Sequence, residues 1–357
     1  VLVLGTRAVF LAVAWLAARL AGTGDGFVDM WTRWDAFHFT QIARFGYTGP
    51  GTDAHATAFF PAFPLSERAL GTPLGIDPAL AGMIVATAAT LVACYYLYRL
   101  AEEDYGPGTG RRAVLYLLLF PTAVFLVAPY SEALFLAGAI PAFYYARRGR
   151  WLLVALPAAL AMGSRTAGVF LLVGLLAEFV RARDWSARTI RNALAAALVA
   201  LVPLAAYAGW LARVKDDPLY FLVDQREGWN REFTGPIESF TNTLRPALSS
   251  AGEISLNFLI TWRVELLAAA LGLFFLGWAI RRREWGYAAF IGSLLAVLMT
   301  SSYYLSIPRM LVSLWPIPLL LAQWNREHLI RDMALLFVMS AISLTGAVVF
   351  TRGFWFF

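Results

Sequence analysis

Apolar segments of about bilayer-spanning length recur along almost the whole chain, and that recurrence restricts the fold more than any other feature. Roughly 20 apolar residues carry a helix across a bilayer. Inside the hydrocarbon every backbone N–H and C=O must be satisfied within the protein, which favours helices over irregular chain. Segments near 6–22, 78–100, 112–128, 131–146, 151–164, 166–181, 190–213, 262–280, 286–304, 308–324 and 330–351 are apolar in this way and read as eleven spans. Composition agrees: only 15% of residues are charged and mean hydropathy is +0.63, where an average soluble domain is about a quarter charged. The fold class expected is all-α and polytopic, one membrane domain over residues 1–357.

The spans between 112 and 181 are short and are interrupted by Pro121, Pro129, Pro141, Pro157 and Gly163. Broken helices persist in a membrane only where protein or a water-filled cavity satisfies the freed backbone groups. They are therefore predicted to line a recess. Two connections are long, 23–77 and 214–261. Arginines cluster in the tight ones, at Arg111 and Arg112, at Arg147, Arg148 and Arg150, at Arg181, Arg183, Arg188 and Arg191, and at Arg281 to Arg283. With alternating spans all four clusters fall on one side, which the positive-inside rule makes the cytoplasm. The two long loops, "APYSE" (128–132), "GSRTAG" (163–168), "SIPRM" (306–310) and the tail "TRGFWFF" then share the opposite face. Polar residues at a membrane edge are costly and mark function.

The net charge of +6 fits orientation and contact with anionic lipid rather than nucleic-acid binding. Cys94 is the single cysteine, so neither an intrachain disulfide nor a cysteine metal site is available. The chain opens on Val1 and is expected to lack its true start; no cleavable leader pattern is read. There is no HExxH, Walker loop, GxSxG or GxGxxG. No Asp-x-Asp pair lies on the outer face to hold a metal on a nucleotide diphosphate, so neither a nucleotide-sugar donor nor a metal is expected.

The candidate chemistry lies in the polar residues of that face. Asp35 and His38 are three apart in "WTRWDAFHFTQIARFGY" and share a helical face. Asp35 fits an N-cap and Gly46 a helix end; a catalytic role for Asp35 competes with capping alone, and His38 either acts or orients Asp35. Trp31 and Trp34 are open between a sugar platform and an interfacial anchor. Arg165 and Arg309 interrupt apolar stretches, and each suits a phosphate, with snorkelling as the alternative. Glu132, after Tyr130 and Ser131, either caps a helix or lines the site. Gln225 and Trp229 are four apart, able to read hydroxyls and to stack on a sugar, unless their helix is only an interfacial one. His55 reads as a loop histidine that could reach substrate.

"WTRWDAFHFTQIARFGY" followed by "TAFFPAFPL" resembles the GPI mannosyltransferase II (PIG-V) family and its bacterial relatives. "FPTAVFLVAPYSEALFL", "SRTAGVFLL", "DPLYFLVDQREGWNREF" and "SIPRMLVSLWPIPLLLA" resemble later motifs of that family in the same order. Met310 departs from it, where an aromatic residue is expected after the Pro-Arg pair. The resemblance implies a GT-C glycosyltransferase, an integral membrane protein of a bacterial plasma membrane with its site facing outside the cytoplasm. It implies polyprenyl-phosphate-mannose as donor, inversion, and Asp35 as general base in a catalytic loop 23–77, with loop 214–261 binding substrate. His38 supports the base, Arg309 and Arg165 hold the donor phosphate, and Trp34, His55, Tyr130, Glu132, Gln225 and Trp229 line the substrate. The acceptor is a lipid or glycan hydroxyl. A different lipid-linked sugar such as arabinose, or a lipid or glycan transporter, are the competing expectations; the transporter lacks the paired repeats such folds often show.

Overall fold

A computed structural model describes residues 1–357 apart from Thr23, Ala251, Glu253 and Phe357. The expectations for the long loops and the tail that touch these four positions lie outside the described residues there. The described residues form helices, with a single isolated bridge between Phe233 and Ser301 and no strand.

Five helices are long and apolar enough to cross a membrane: α1 (Leu2–Leu20), α4 (Pro78–Tyr105), α9 (Ala187–Val214), α12 (Leu256–Arg281) and α16 (Leu329–Thr351). Their unpartnered faces carry large apolar side chains such as Leu16, Leu198, Leu271 and Phe337, all exposed. Water would penalise such faces, whereas lipid does not; the protein is an integral membrane protein. The eleven predicted spans are all largely helical, but not all are single long helices. Residues 112–128 divide into α5 (Thr109–Leu118) and a 3-10 turn, Ala123–Leu126, around Pro121. Residues 308–324 divide into α14 (Ile307–Ser313) and α15 (Pro316–Trp324), parted at Pro316. Proline removes a backbone donor and clashes with the preceding turn, so each run breaks there. α13 (Trp285–Leu298) stops short of the expected 304.

The expected recess region is the centre of the bundle. In α6 (Ser131–Arg147) almost every residue is buried. It packs on α7 (Trp151–Ser164), on α8 (Ala167–Ala182) and on α4. Gly138 permits that closeness: a Cβ there would collide with the Pro157 carbonyl oxygen on α7. Burial of its N-terminus is what places Glu132 deep in protein rather than in lipid.

The two long connections fold as short helices at the α6 N-terminal end. α2 (Asp35–Phe45) and α3 (Ala62–Leu74) form the first. Arg68 on α3 caps the α2 carbonyls, its Nε reaching Ala43 O at 2.6 Å and Nη2 reaching Ile42 O at 3.1 Å. Asp77 caps α4 by accepting from Ala79 N at 2.8 Å, with Pro78 at the first helical position. α10 (Tyr220–Trp229) and α11 (Pro236–Leu248) form the second. Asp224 joins the two connections: its carboxylate accepts from Thr57 N at 3.1 Å and from the Thr57 hydroxyl. Tyr207 and Tyr47 donate to the Thr57 and Phe59 carbonyls at 2.7 and 2.6 Å. The "TAFF" segment is thus pinned through its backbone, which leaves the Phe59 ring free to face the site.

The opposite end is an ion-pair belt. Arg147 meets Asp104 and Glu284, each at 2.9 Å, and Arg148 meets Glu103 at 2.5 Å. Arg112 with Asp332 and Arg181 with Glu178 add to these pairs, so members of three of the four predicted arginine clusters meet acids.

Candidate active site

Asp35, Glu132, Arg165 and Arg309 come from four separate segments and meet at one end of the bundle. Arg309 Nη1 donates to Asp35 Oδ2 at 2.5 Å, and Arg309 Nε donates to Glu132 Oε1. Arg165 Nη1 lies 2.5 Å from the same Glu132 oxygen. Arg309 is also seated on aromatic faces, its guanidinium carbon 4.6 Å from the Tyr130 ring centre and 5.0 Å from that of Phe125. Tyr130 in turn donates to Arg33 O at 3.0 Å, which ties the "WTRWD" turn to α6.

The backbone is strained where it delivers the two key side chains. Trp34, at φ 54°, precedes Asp35; Ser306, at φ 62°, begins the turn that carries Arg309. A non-glycine residue in this region costs energy and persists only when its surroundings fix it. At Ser306 the fixing group is Glu265 on α12. Its carboxylate accepts from Ser306 N at 2.6 Å and Ile307 N at 2.9 Å. Asp35 departs from its expected place. Trp34, not Asp35, is the N-cap; Asp35 is the first residue of α2, and no side-chain cap bond forms. Its carboxylate is turned to Arg309 instead. Gly46 ends α2 as expected, its N–H bonded to Ile42 O.

Burial alone would raise the Asp35 pKa. Arg309, then His38 and Arg165, more than offset this and hold the carboxyl below the usual range. Asp35 is an anion at neutral pH, with its side chain 22% exposed, enough for a ligand to reach it.

The recess around Asp35 is also lined by Arg165, Arg231, Arg309, Phe59 and Trp229. Arg231 escaped the sequence reading although it stands in the quoted "GWNREF". Among the described residues its side chain donates one hydrogen bond, from Nη2 to Leu305 O at 3.3 Å, and it forms no ion pair. Burial, then Arg309, lower its pKa, and Asp35 and Glu265 do not restore it. A cation in that position gains from an incoming anion. Glu265, Ser306 and Trp355 also escaped; the signal for Glu265 was a lone acid within an apolar span.

The remaining predicted residues are distributed as follows. Gln225 and Trp229 line the recess, though the Gln225 amide is within 3.4 Å of Ala58 O. His38 stacks on Phe59, with ring centres 4.8 Å apart, and meets the Trp229 edge at 5.8 Å. No hydrogen bond joins it to Asp35 among the described residues, and its Nδ1 is buried without a partner; its effect on Asp35 is through charge. Glu132 is no cap: Tyr130 holds the N-cap position of α6 and Glu132 serves the arginines. Trp34 is exposed and packs edge-on to Trp355 at 5.1 Å. His55 lies 3.4 Å from Asp224, at the loop junction rather than in the recess.

Residues 17–204 match the family described as Mannosyltransferase (PIG-V). The matched stretch includes Asp35, Glu132 and Arg165 and ends before Arg231 and Arg309. GPI alpha-1,6-mannosyltransferase 2 of Mus musculus is 35% identical over 182 residues, 46% of this chain and 36% of that protein. The Homo sapiens protein of the same name is 32% identical over 200 residues, 51% of this chain and 39% of that one. The matches thus span less than two-fifths of those relatives' length. Among solved structures, the crystal structure of ArnT from Cupriavidus metallidurans bound to undecaprenyl phosphate superposes with a TM-score of 0.56 at 16% identity. That likeness covers 96% of this chain and 64% of ArnT. At that identity the likeness concerns the fold, a GT-C glycosyltransferase fold.

Proposed function

The chain belongs to the mannosyltransferase (PIG-V) family, and from that premise we propose that it is a membrane mannosyltransferase. In this reading it moves mannose from a polyprenyl-phosphate donor to an acceptor hydroxyl on the extracytoplasmic face. The observation that carries the reading is the pairing of one ionised carboxylate, Asp35, with three guanidinium groups around one recess.

The chemistry follows from those charges. The acceptor oxygen attacks the anomeric carbon, the bond from that carbon to the phosphate oxygen breaks, and the acceptor proton passes to Asp35. Polyprenyl phosphate leaves with the bonding electrons. A phosphate leaving group needs no proton; it needs positive charge on the departing oxygens. Arg231, which pairs with no carboxylate among the described residues, is the cation this reading gives to the phosphate, with Arg309 and Arg165 lining the same recess. One displacement inverts the anomeric centre and requires no protein nucleophile. The relatives' names support mannose, and the undecaprenyl phosphate bound by ArnT supports a polyprenyl carrier. A nucleotide-sugar donor finds no pool outside the cytoplasm, which favours a lipid carrier on that face.

The test is transfer itself. Purified protein in detergent, given radiolabelled mannose on a polyprenyl phosphate, is expected to release polyprenyl phosphate and label a hydroxyl acceptor in a membrane extract. GDP-mannose should not substitute. Labelling from GDP-mannose, or movement of the lipid across a vesicle without transfer, would overturn the reading.

A further inference from the structure

The chain returns to the site after α16. Gly353, at φ 77°, turns it back beyond α16, and Phe354 N bonds to Val349 O at 3.1 Å. Trp355 then lines the recess together with Asp35 and the arginines. The next ring keys this tail into place. Phe356 stacks on Phe125 with centres 6.3 Å apart, and it fills the space beside Gly346, where a Cβ would overlap the ring. Phe125 is the same ring that lies under the Arg309 guanidinium. The tail is therefore packed onto the charged network.

We infer that Trp355 is the aromatic wall against which the sugar ring of the lipid-phosphate donor is held. This rests on the site being one for a sugar linked to a lipid phosphate. In such a donor the sugar is one bond from the phosphate. With the phosphate at the arginines and the anomeric carbon within reach of Asp35, the ring lies inside the recess, not at its mouth. One face of a pyranose is a sheet of C–H bonds, and an aromatic surface suits it. Three tryptophans compete for that task. Trp229 already meets His38 and Phe59. Trp34 is exposed and does not line the recess. Trp355 lines it, and among the described residues it meets one ring, that of Trp34 at 81° from parallel, where Trp229 meets two.

The experiment is calorimetric titration of the full chain in detergent with two probes, farnesyl phosphate and farnesyl-phosphate mannose. Trp355→Ala should weaken the mannosylated probe on the order of fivefold to tenfold, the size of an aromatic contact. It should leave farnesyl phosphate unchanged, and Trp355→Phe should restore most of the loss. Gly346→Ala touches no residue of the recess, yet its methyl displaces the Phe356 ring; it should give the same selective loss. If both probes bind and Trp355→Ala changes neither, or weakens both equally, the wall is refuted while the lipid-phosphate reading stands. If the unsubstituted protein binds neither probe, that reading fails and the wall with it.

Discussion

Arg309 Nη1 lies 2.5 Å from Asp35 Oδ2, across 274 residues of sequence. The contact holds the proposed base ionised and fixes a cation beside it, which the proposed reaction sets against the leaving group. Asp35→Asn keeps the shape and a hydrogen-bonding oxygen but removes the base. Transfer should fall on the order of a hundredfold to ten-thousandfold, with farnesyl phosphate still bound. Unaltered turnover would remove Asp35 from the mechanism.

The arginines should separate by experiment. Arg309→Ala leaves the buried Glu132 with Arg165 alone and the part-buried Asp35 without its ion-pair partner, and a broken buried pair costs roughly 3–5 kcal/mol; a large drop in thermal midpoint is expected. Arg231→Ala breaks no ion pair among the described residues, so the midpoint should hold while polyprenyl phosphate binding weakens on the order of tenfold or more, as a charge-assisted contact is lost. Equal destabilisation by both would contradict the assignment of Arg231 to the ligand.

The pH dependence follows from the lowered Asp35 pKa. A group whose pKa is depressed stays ionised to lower pH, so the base is lost only as pH falls below the ordinary carboxylate value of about 3.9. The kcat/KM for donor should be flat from neutrality to about pH 5 on that basis. An acid limb centred above this would mean that Arg309 does not hold the carboxylate in the working enzyme.

Backbone strain at Ser306 gives a fourth outcome. Ser306→Gly removes the left-handed penalty of roughly 1 kcal/mol, and a small rise in thermal midpoint is expected. Trp34→Gly relieves its own strained position but also removes the ring that packs on Trp355, so it should not stabilise. A rise for Trp34→Gly equal to that for Ser306→Gly would show that the ring contact is idle.

Much of this is legible in the sequence. The apolar runs specified helices, because bilayer hydrocarbon leaves the backbone little choice. The topology rule placed Asp35, Glu132, Arg165 and Arg309 on one face. What it left hidden was pairing: Glu132 and Arg165 are 33 positions apart and Asp35 and Arg309 far more, and no local pattern encodes which acid meets which base. Asp35 looked like a cap because a cap is a local interaction; the long-range cation won. Arg231 was passed over because a single arginine in a polar loop has no periodicity to betray it. Trp355 lay in a short aromatic tail, where sequence gives no sign that the chain doubles back.

The wide separation of the paired charges also governs the order of assembly. Glu132 can find Arg165 soon after both leave the ribosome. Asp35 must wait for Arg309, and the recess is unfinished until Trp355 follows. A nascent chain therefore carries an unmatched carboxylate at the membrane edge until Arg309 is made, 274 positions later, and contacts so distant in sequence form late. In the proposed reaction the base and its cation are complete only once Arg309 is made, so a product cut before Arg309 is expected to be inert rather than a leaky transferase.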